Sequence, residues 1–152
     1  MTVSTKTQDK IVIQVEIEAP PESVFRALTT PDQLTDWWGD DSVYRSDSWI
    51  VDLRVGGRYL SQGKNADGRP FEVSGEYLEI DPPRRLSFSW KPSWEEMGPA
   101  TVVVFDLKPV ETGTRLTMTH GGFAGYPEAF KNHSQGWPLV LGWLKNFGER
   151  RG

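Results

Sequence analysis

No cysteine occurs among the 152 residues, which excludes disulfides, a thiolate nucleophile and a thiolate metal site. No apolar run is long enough for a signal peptide or a membrane span. Met1 to Lys10 is polar, so a cytoplasmic protein is expected. No basic cluster is present either: net charge is -4, the pI is about 5.2, and Lys and Arg are scattered. That balance argues against a nucleic-acid surface or an anionic membrane as partner. No repeat, low-complexity tract or linker divides the chain, so residues 1–152 are read as one domain, with a disordered tail over about 1–9. Catalytic signatures are missing as well. There is no G-x-S-x-G elbow, phosphate-binding glycine loop, H-E-x-x-H or dinucleotide fingerprint, and no cofactor is expected.

What the chain does have is aromatic bulk. Hydrophobic residues make up only 37%, yet aromatics reach 12%, with seven Trp and seven Phe. Burial is therefore concentrated in a few large side chains, which suits the walls of a pocket as well as a core. Ile11, Ile13, Val15 and Ile17 alternate with polar residues, as in a strand with one buried face. Pro20-Pro21 opens a short helix buried through Val24, Phe25 and Leu28. Thr30-Pro31-Asp32-Gln33 starts a second, with Thr30 as N-cap and Gln33 at the capping-box position. Leu34, Trp37 and Trp38 share its face, and Gly39 stops it. About six strands follow, beginning with the alternation of Trp49, Val51, Leu53 and Val55 and ending with Leu116, Met118 and His120.

Gly121-Gly122 then leads into a long helical segment with Phe130, His133, Trp137, Leu141, Leu144 and Phe147 at steps of three or four. Pro138 lies inside it, so either a kink near Ser134 or a restart around Trp137 is expected. The fold class is α+β, with one amphipathic helix closing a chain of antiparallel strands. Such a helix needs a curved sheet to lie against, and sheets wrapped round one helix often leave a cavity.

The ordered set Ala19-Pro20-Pro21-Glu22-Ser23-Val24-Phe25-Arg26-Ala27-Leu28-Thr29, Trp37-Trp38-Gly39 and Gly56-Gly57-Arg58-Tyr59 carries a family resemblance. Gly75-Glu76-Tyr77-Leu78-Glu79-Ile80-Asp81-Pro82-Pro83-Arg84-Arg85-Leu86, Gly113-Thr114-Arg115-Leu116-Thr117 and His133-Ser134-Gln135-Gly136-Trp137 complete it. From about Ile11 to Phe147 the chain resembles the START-like superfamily (the birch-pollen-allergen, polyketide-cyclase and lipid-transfer group). Within it, the chain is most similar to the C-terminal domain of the activator of the ninety-kilodalton heat-shock-protein ATPase. The resemblance implies the helix-grip fold, a curved antiparallel sheet wrapped around a long C-terminal helix, with two short helices after the first strand. It also implies a small apolar molecule as ligand, or a chaperone or other protein as partner. Activity varies widely across the superfamily and has to be argued from the site.

Strand parity predicts which polar groups face the helix. If Leu78 and Ile80 point inward, so does Glu76; if Leu116 and Met118 do, so does His120. His133 lies one turn before Trp137 on the apolar side of the helix. Glu76 and His120 would then suit an acid/base pair of cyclase or hydrolase type. The alternative, that each simply hydrogen-bonds to backbone or buried water, is the general rule for buried polar groups. Two His and one Glu also make a metal triad conceivable, but nothing spaces them for metal and none is expected.

The expected ligand-binding set is Trp37, Trp38, Trp49, Tyr59, Glu76, Trp90, Phe130, His133 and Trp137, with His120. Trp94, between Ser93 and Glu95-Glu96, is the candidate gate. Arg58, Arg69 and Arg84-Arg85 are positioned to meet an anionic ligand, though exposed strand ends carry arginine routinely. The expected function is binding of a small hydrophobic or aromatic molecule in an internal cavity. An enzyme using the same cavity, or a chaperone-linked interaction module, is the alternative.

Overall fold

The computed structural model describes residues 2–6, 9–95 and 100–151. Strands β1 (Thr2–Lys6) and β2 (Lys10–Ile17) come first, then helices α1 (Pro21–Thr29) and α2 (Pro31–Trp37). Seven strands follow: β3 (Gly39–Asp40), β4 (Tyr44–Val51), β5 (Arg58–Asn65), β6 (Pro70–Asp81), β7 (Arg85–Pro92), β8 (Thr101–Val110) and β9 (Gly113–Gly121). Helix α3 (Pro127–Arg151) closes the chain. All strands belong to one antiparallel sheet in the order β1-β2-β9-β8-β7-β6-β5-β4-β3. One end of α3 is tied to β2, where the Lys145 ammonium donates to the Glu16 carbonyl at 2.7 Å. Its other half is tied to β7 and β9 by the side-chain hydrogen bonds described below. The sheet therefore curls round α3 in the helix-grip arrangement.

Two-residue alternation builds the inner face. Ile11, Ile13, Val15 and Ile17 on β2 and Leu116, Met118 and His120 on β9 are all at most 2% exposed. They pair directly across the ladder, Ile11 with His120, Ile13 with Met118 and Val15 with Leu116. Leu141, Leu144 and Phe147 from α3 close the core over them. At Gly122 the backbone takes φ of +105° between β9 and α3, a conformation glycine adopts without a Cβ clash.

Several expectations need correction. The tail expected to be disordered includes β1, whose residues Thr2 to Lys6 pair with Val15 to Ile11; residues 1, 7 and 8 lie outside the described part. Among the described residues seven strands, rather than about six, lie between α2 and α3. The fourth strand stops at Val51. Leu53 and Val55 lie in the following loop, 43% and 63% exposed, because Asp52 turns the chain into the hairpin, its N–H donating to the Arg58 carbonyl. Thr30 precedes α2 without a side-chain cap. Helix α3 runs through Pro138 without restarting; there the Ser134 hydroxyl donates to the Phe130 carbonyl at 2.7 Å. In the loop carrying Trp94, Ser93–Glu95 form a single 3-10 turn, and residues 96–99 lie outside the described part.

Burial sets a clear contrast along α3. Leu144 is fully buried and Leu139 is 46% exposed. Leu144→Ala is expected to cost about 2–5 kcal/mol in guanidinium denaturation. Leu139→Ala should stay within about 0.5 kcal/mol.

Candidate functional site

Between α3 and the inner faces of β4 to β7 lies a cavity of about 620 Å³. That is within the range of small-molecule sites, about 300–1,000 Å³. Its walls are indoles. Trp38 from α2, Trp49 from β4, Trp90 from β7 and Trp137 from α3 all line it. Trp38 sits among the others, its ring centre 5.1 Å from Trp49, 6.2 Å from Trp90 and 6.1 Å from Trp137. Space remains because neighbouring inward positions are small. Ser46 and Ser61 are buried on β4 and β5. A register shift between Ser46 and Ser48 turns Ser46 and Trp49, three positions apart, to the same side. On α3, Gly136 lines the cavity, and a Cβ added there would meet nothing within 4 Å.

The buried histidines lie behind this wall and hold it. Trp137 Nε1 donates to His120 Nδ1 at 2.9 Å, and Trp90 Nε1 donates to His133 Nε2 at 3.1 Å. An indole nitrogen can only donate, so both acceptors carry lone pairs and both rings are neutral. The His120 proton is then on Nε2, donating to Thr101 Oγ1 at 2.9 Å, and Thr101 passes its own proton to the Trp90 carbonyl at 3.1 Å. The His133 proton is on Nδ1, facing the Ala129 carbonyl at 2.8 Å. The two imidazoles meet edge to face with ring centres 5.1 Å apart. Burial, and secondarily the neighbouring His133, holds the His120 pKa well below 6.5.

Of the residues expected to bind ligand, Trp38, Trp49, Trp90, His133 and Trp137 line the cavity. Trp37 does not. It stacks on the far side of Trp38 at 5.0 Å and donates its N–H to the Ala27 carbonyl. Tyr59 lines a smaller void beneath Trp49, its hydroxyl donating to the Ser89 carbonyl at 2.7 Å. Phe130 packs on Phe123, and His120 is screened from the cavity by Trp137 and Trp90, so neither is a lining residue.

Glu76 is on the other side of the sheet. Its neighbours Gly75 and Tyr77 face inward, and Leu78 is 43% exposed. A register shift between Tyr77 and Glu79 breaks the parity that would have carried Ile80's orientation back to Glu76. The Glu76–His120 acid/base pair therefore has no geometry here, and both His120 nitrogens are already engaged. Among the described residues, no group of three His, Asp or Glu side chains is arranged to hold a metal ion.

Lining residues that the sequence reading missed include Tyr44, Ser46, Ser61, Phe71, Val73, Gly136 and Val140. Gly136 alone left a signal, as a residue that disfavours helix inside a helical pattern. Trp94, the expected gate, is 53% exposed, lines the cavity and packs edge-on against Phe71 at 5.8 Å. Of the arginines among the described residues, only Arg69 lines it. Among the described residues no helix is long and apolar enough to cross a membrane.

Residues 18–149 match the family described as Activator of Hsp90 ATPase homolog 1-like protein. No curated protein matches the chain. Among solved structures, protein NE0264 of Nitrosomonas europaea is 24% identical with a TM-score of 0.80, over 97% of this chain and 98% of that one. The AHSA1-like protein of Aeromonas hydrophila is 27% identical with a TM-score of 0.76, over 94% of each chain. CalU16 of Micromonospora echinospora is 26% identical with a TM-score of 0.74, over 97% of this chain and 85% of that one. These similarities place the fold in the START-like superfamily.

The lowered His120 pKa has a consequence for stability. Below pH 6.5 the unfolded chain takes up a proton that folded His120 refuses, so stability falls with falling pH. Between pH 6.5 and about 5, above the range where carboxylates titrate, stability should decline steadily as the pH is lowered. Urea denaturation across this window should show the slope, and His120→Gln should reduce it.

Proposed function

We propose, from the premise that this chain belongs to the Activator of Hsp90 ATPase homolog 1-like family, that it binds a small, largely aromatic molecule between its sheet and α3. The observation that carries this reading is the cavity of about 620 Å³ walled by the indoles of Trp38, Trp49, Trp90 and Trp137, with Trp94 at its exposed edge. Trp37, Trp38, Trp90 and Trp137 all give their N–H groups to protein acceptors. The three of these that line the cavity therefore offer it mainly ring faces and carbon edges. Such a surface gains from apolar burial and from stacking with a flat ligand. The exposed polar residues that line it include Asn65, Arg69 and Asn132, at the rim.

The mechanism we infer is sequestration or carriage. The histidines position the wall rather than move protons, since both ring nitrogens of His120 are engaged and the Glu76 carboxylate is on the opposite side of the sheet. A cytoplasmic setting belongs to the same proposal.

Gly136 provides the test. A side chain there points into open space, and replacing a helical glycine gains up to about 1 kcal/mol of helix propensity. Gly136→Leu should fill the cavity and reduce the affinity for a neutral fluorescent probe, N-phenyl-naphthylamine, by at least about tenfold. Its melting temperature should be unchanged or higher. Gly142→Leu, at an exposed position on the same helix, should bind as wild type. Probe binding that survives Gly136→Leu would count against the cavity as the site.

A further inference from the structure

Resting on the cavity reading, we propose that the ligand is an aromatic acid: a flat ring system held by the indoles, with a carboxylate or similar anion received by Tyr44 and Arg69. Tyr44 supplies the first donor. Its Oη accepts from Trp38 Nε1 at 3.0 Å, which occupies a lone pair and leaves the hydroxyl proton to point elsewhere. Its other interactions are ring contacts with Phe71 and Trp143, so the hydroxyl proton meets no protein acceptor among the described residues. Burial raises the Tyr44 pKa to about 12, which keeps that proton in place at neutral pH.

Arg69 is the second donor and the one charged residue lining the cavity among the described residues. Its Nε meets Asp67 at 3.4 Å, with both side chains largely in solvent. Such a pair is weak, and it leaves the terminal guanidinium N–H groups able to grip a planar anion. No carboxylate lines the cavity itself among the described residues, and Asp67 reaches Arg69 only from the solvent side.

Strand register brings the two donors together. Tyr44 lies directly across β4 and β5 from Asn65, whose N–H donates to the Arg69 carbonyl at 2.9 Å across the turn. Both therefore sit at the same end of the cavity, beside Phe71 and the exposed Trp94. A ligand entering ring first would leave its charged end at this rim. The arrangement suits a ring carboxylate better than a hydrocarbon or an ammonium.

Three probes of matched ring size test the proposal: naphthoate, its neutral analogue acetylnaphthalene, and naphthalene, each titrated by NMR on the tryptophan indole signals. In the wild-type protein, naphthoate should bind about tenfold tighter than acetylnaphthalene, the worth of one charge-assisted hydrogen bond. Arg69→Gln and Tyr44→Phe should each shrink that preference to within about twofold, and added salt should weaken naphthoate alone. Equal binding of naphthoate and acetylnaphthalene overturns the proposal while leaving an aromatic cavity intact. A preference that survives both substitutions also overturns it. If none of the three binds, the cavity reading falls with it.

Discussion

Two hydrogen bonds from indole to imidazole hold this architecture together. Trp137 on α3 gives its proton to His120 on β9, and Trp90 on β7 gives its proton to His133 on α3. The bonds run in opposite directions between helix and sheet, so neither element can slide without breaking one. Each leaves a buried donor when broken, at a cost of about 1–3 kcal/mol. Because both acceptors must be lone pairs, the geometry also requires two neutral histidines of opposite tautomer. A cavity beside a helix tends to close by collapse of the helix onto the sheet. Here the helix is fastened at His133 and Trp137 while Gly136, between them, leaves the space open.

Much of the fold was legible because it rests on local periodicity. Ile11 to Ile17 and Leu116 to His120 alternate along two strands that pair without a register shift, and the apolar stripe of α3 runs from Phe130 to Phe147. Strand β1 was not legible. Thr2–Lys6 carries no alternating apolar signal, and only its pairing with β2 marks it as a strand. The orientation of Glu76 was misread for a related reason. The shift between Tyr77 and Glu79 is a property of the pairing with β7, which local alternation of Leu78 and Ile80 does not encode.

The site was legible by residue type more than by position. Tryptophan announced a wall, but Trp37 and Trp38 are adjacent, and only packing decides that Trp38 meets the cavity while Trp37 turns to Ala27. Empty space leaves almost no trace in composition. Ser46 and Ser61 read as ordinary strand residues, yet their small side chains open the floor of the cavity. Tyr44 was invisible because its importance lies in one lone pair being occupied by Trp38. Arg69 was indistinguishable from the other strand-end arginines until the fold placed it alone at the rim.

The account turns on the protonation pattern of the two histidines, and long-range proton–nitrogen correlation NMR reads that pattern directly. At neutral pH it should show two neutral rings, His120 protonated on Nε2 and His133 on Nδ1. An imidazolium at either site, or both rings in the same tautomer, would contradict the indole-to-imidazole bonds and the wall they hold in place.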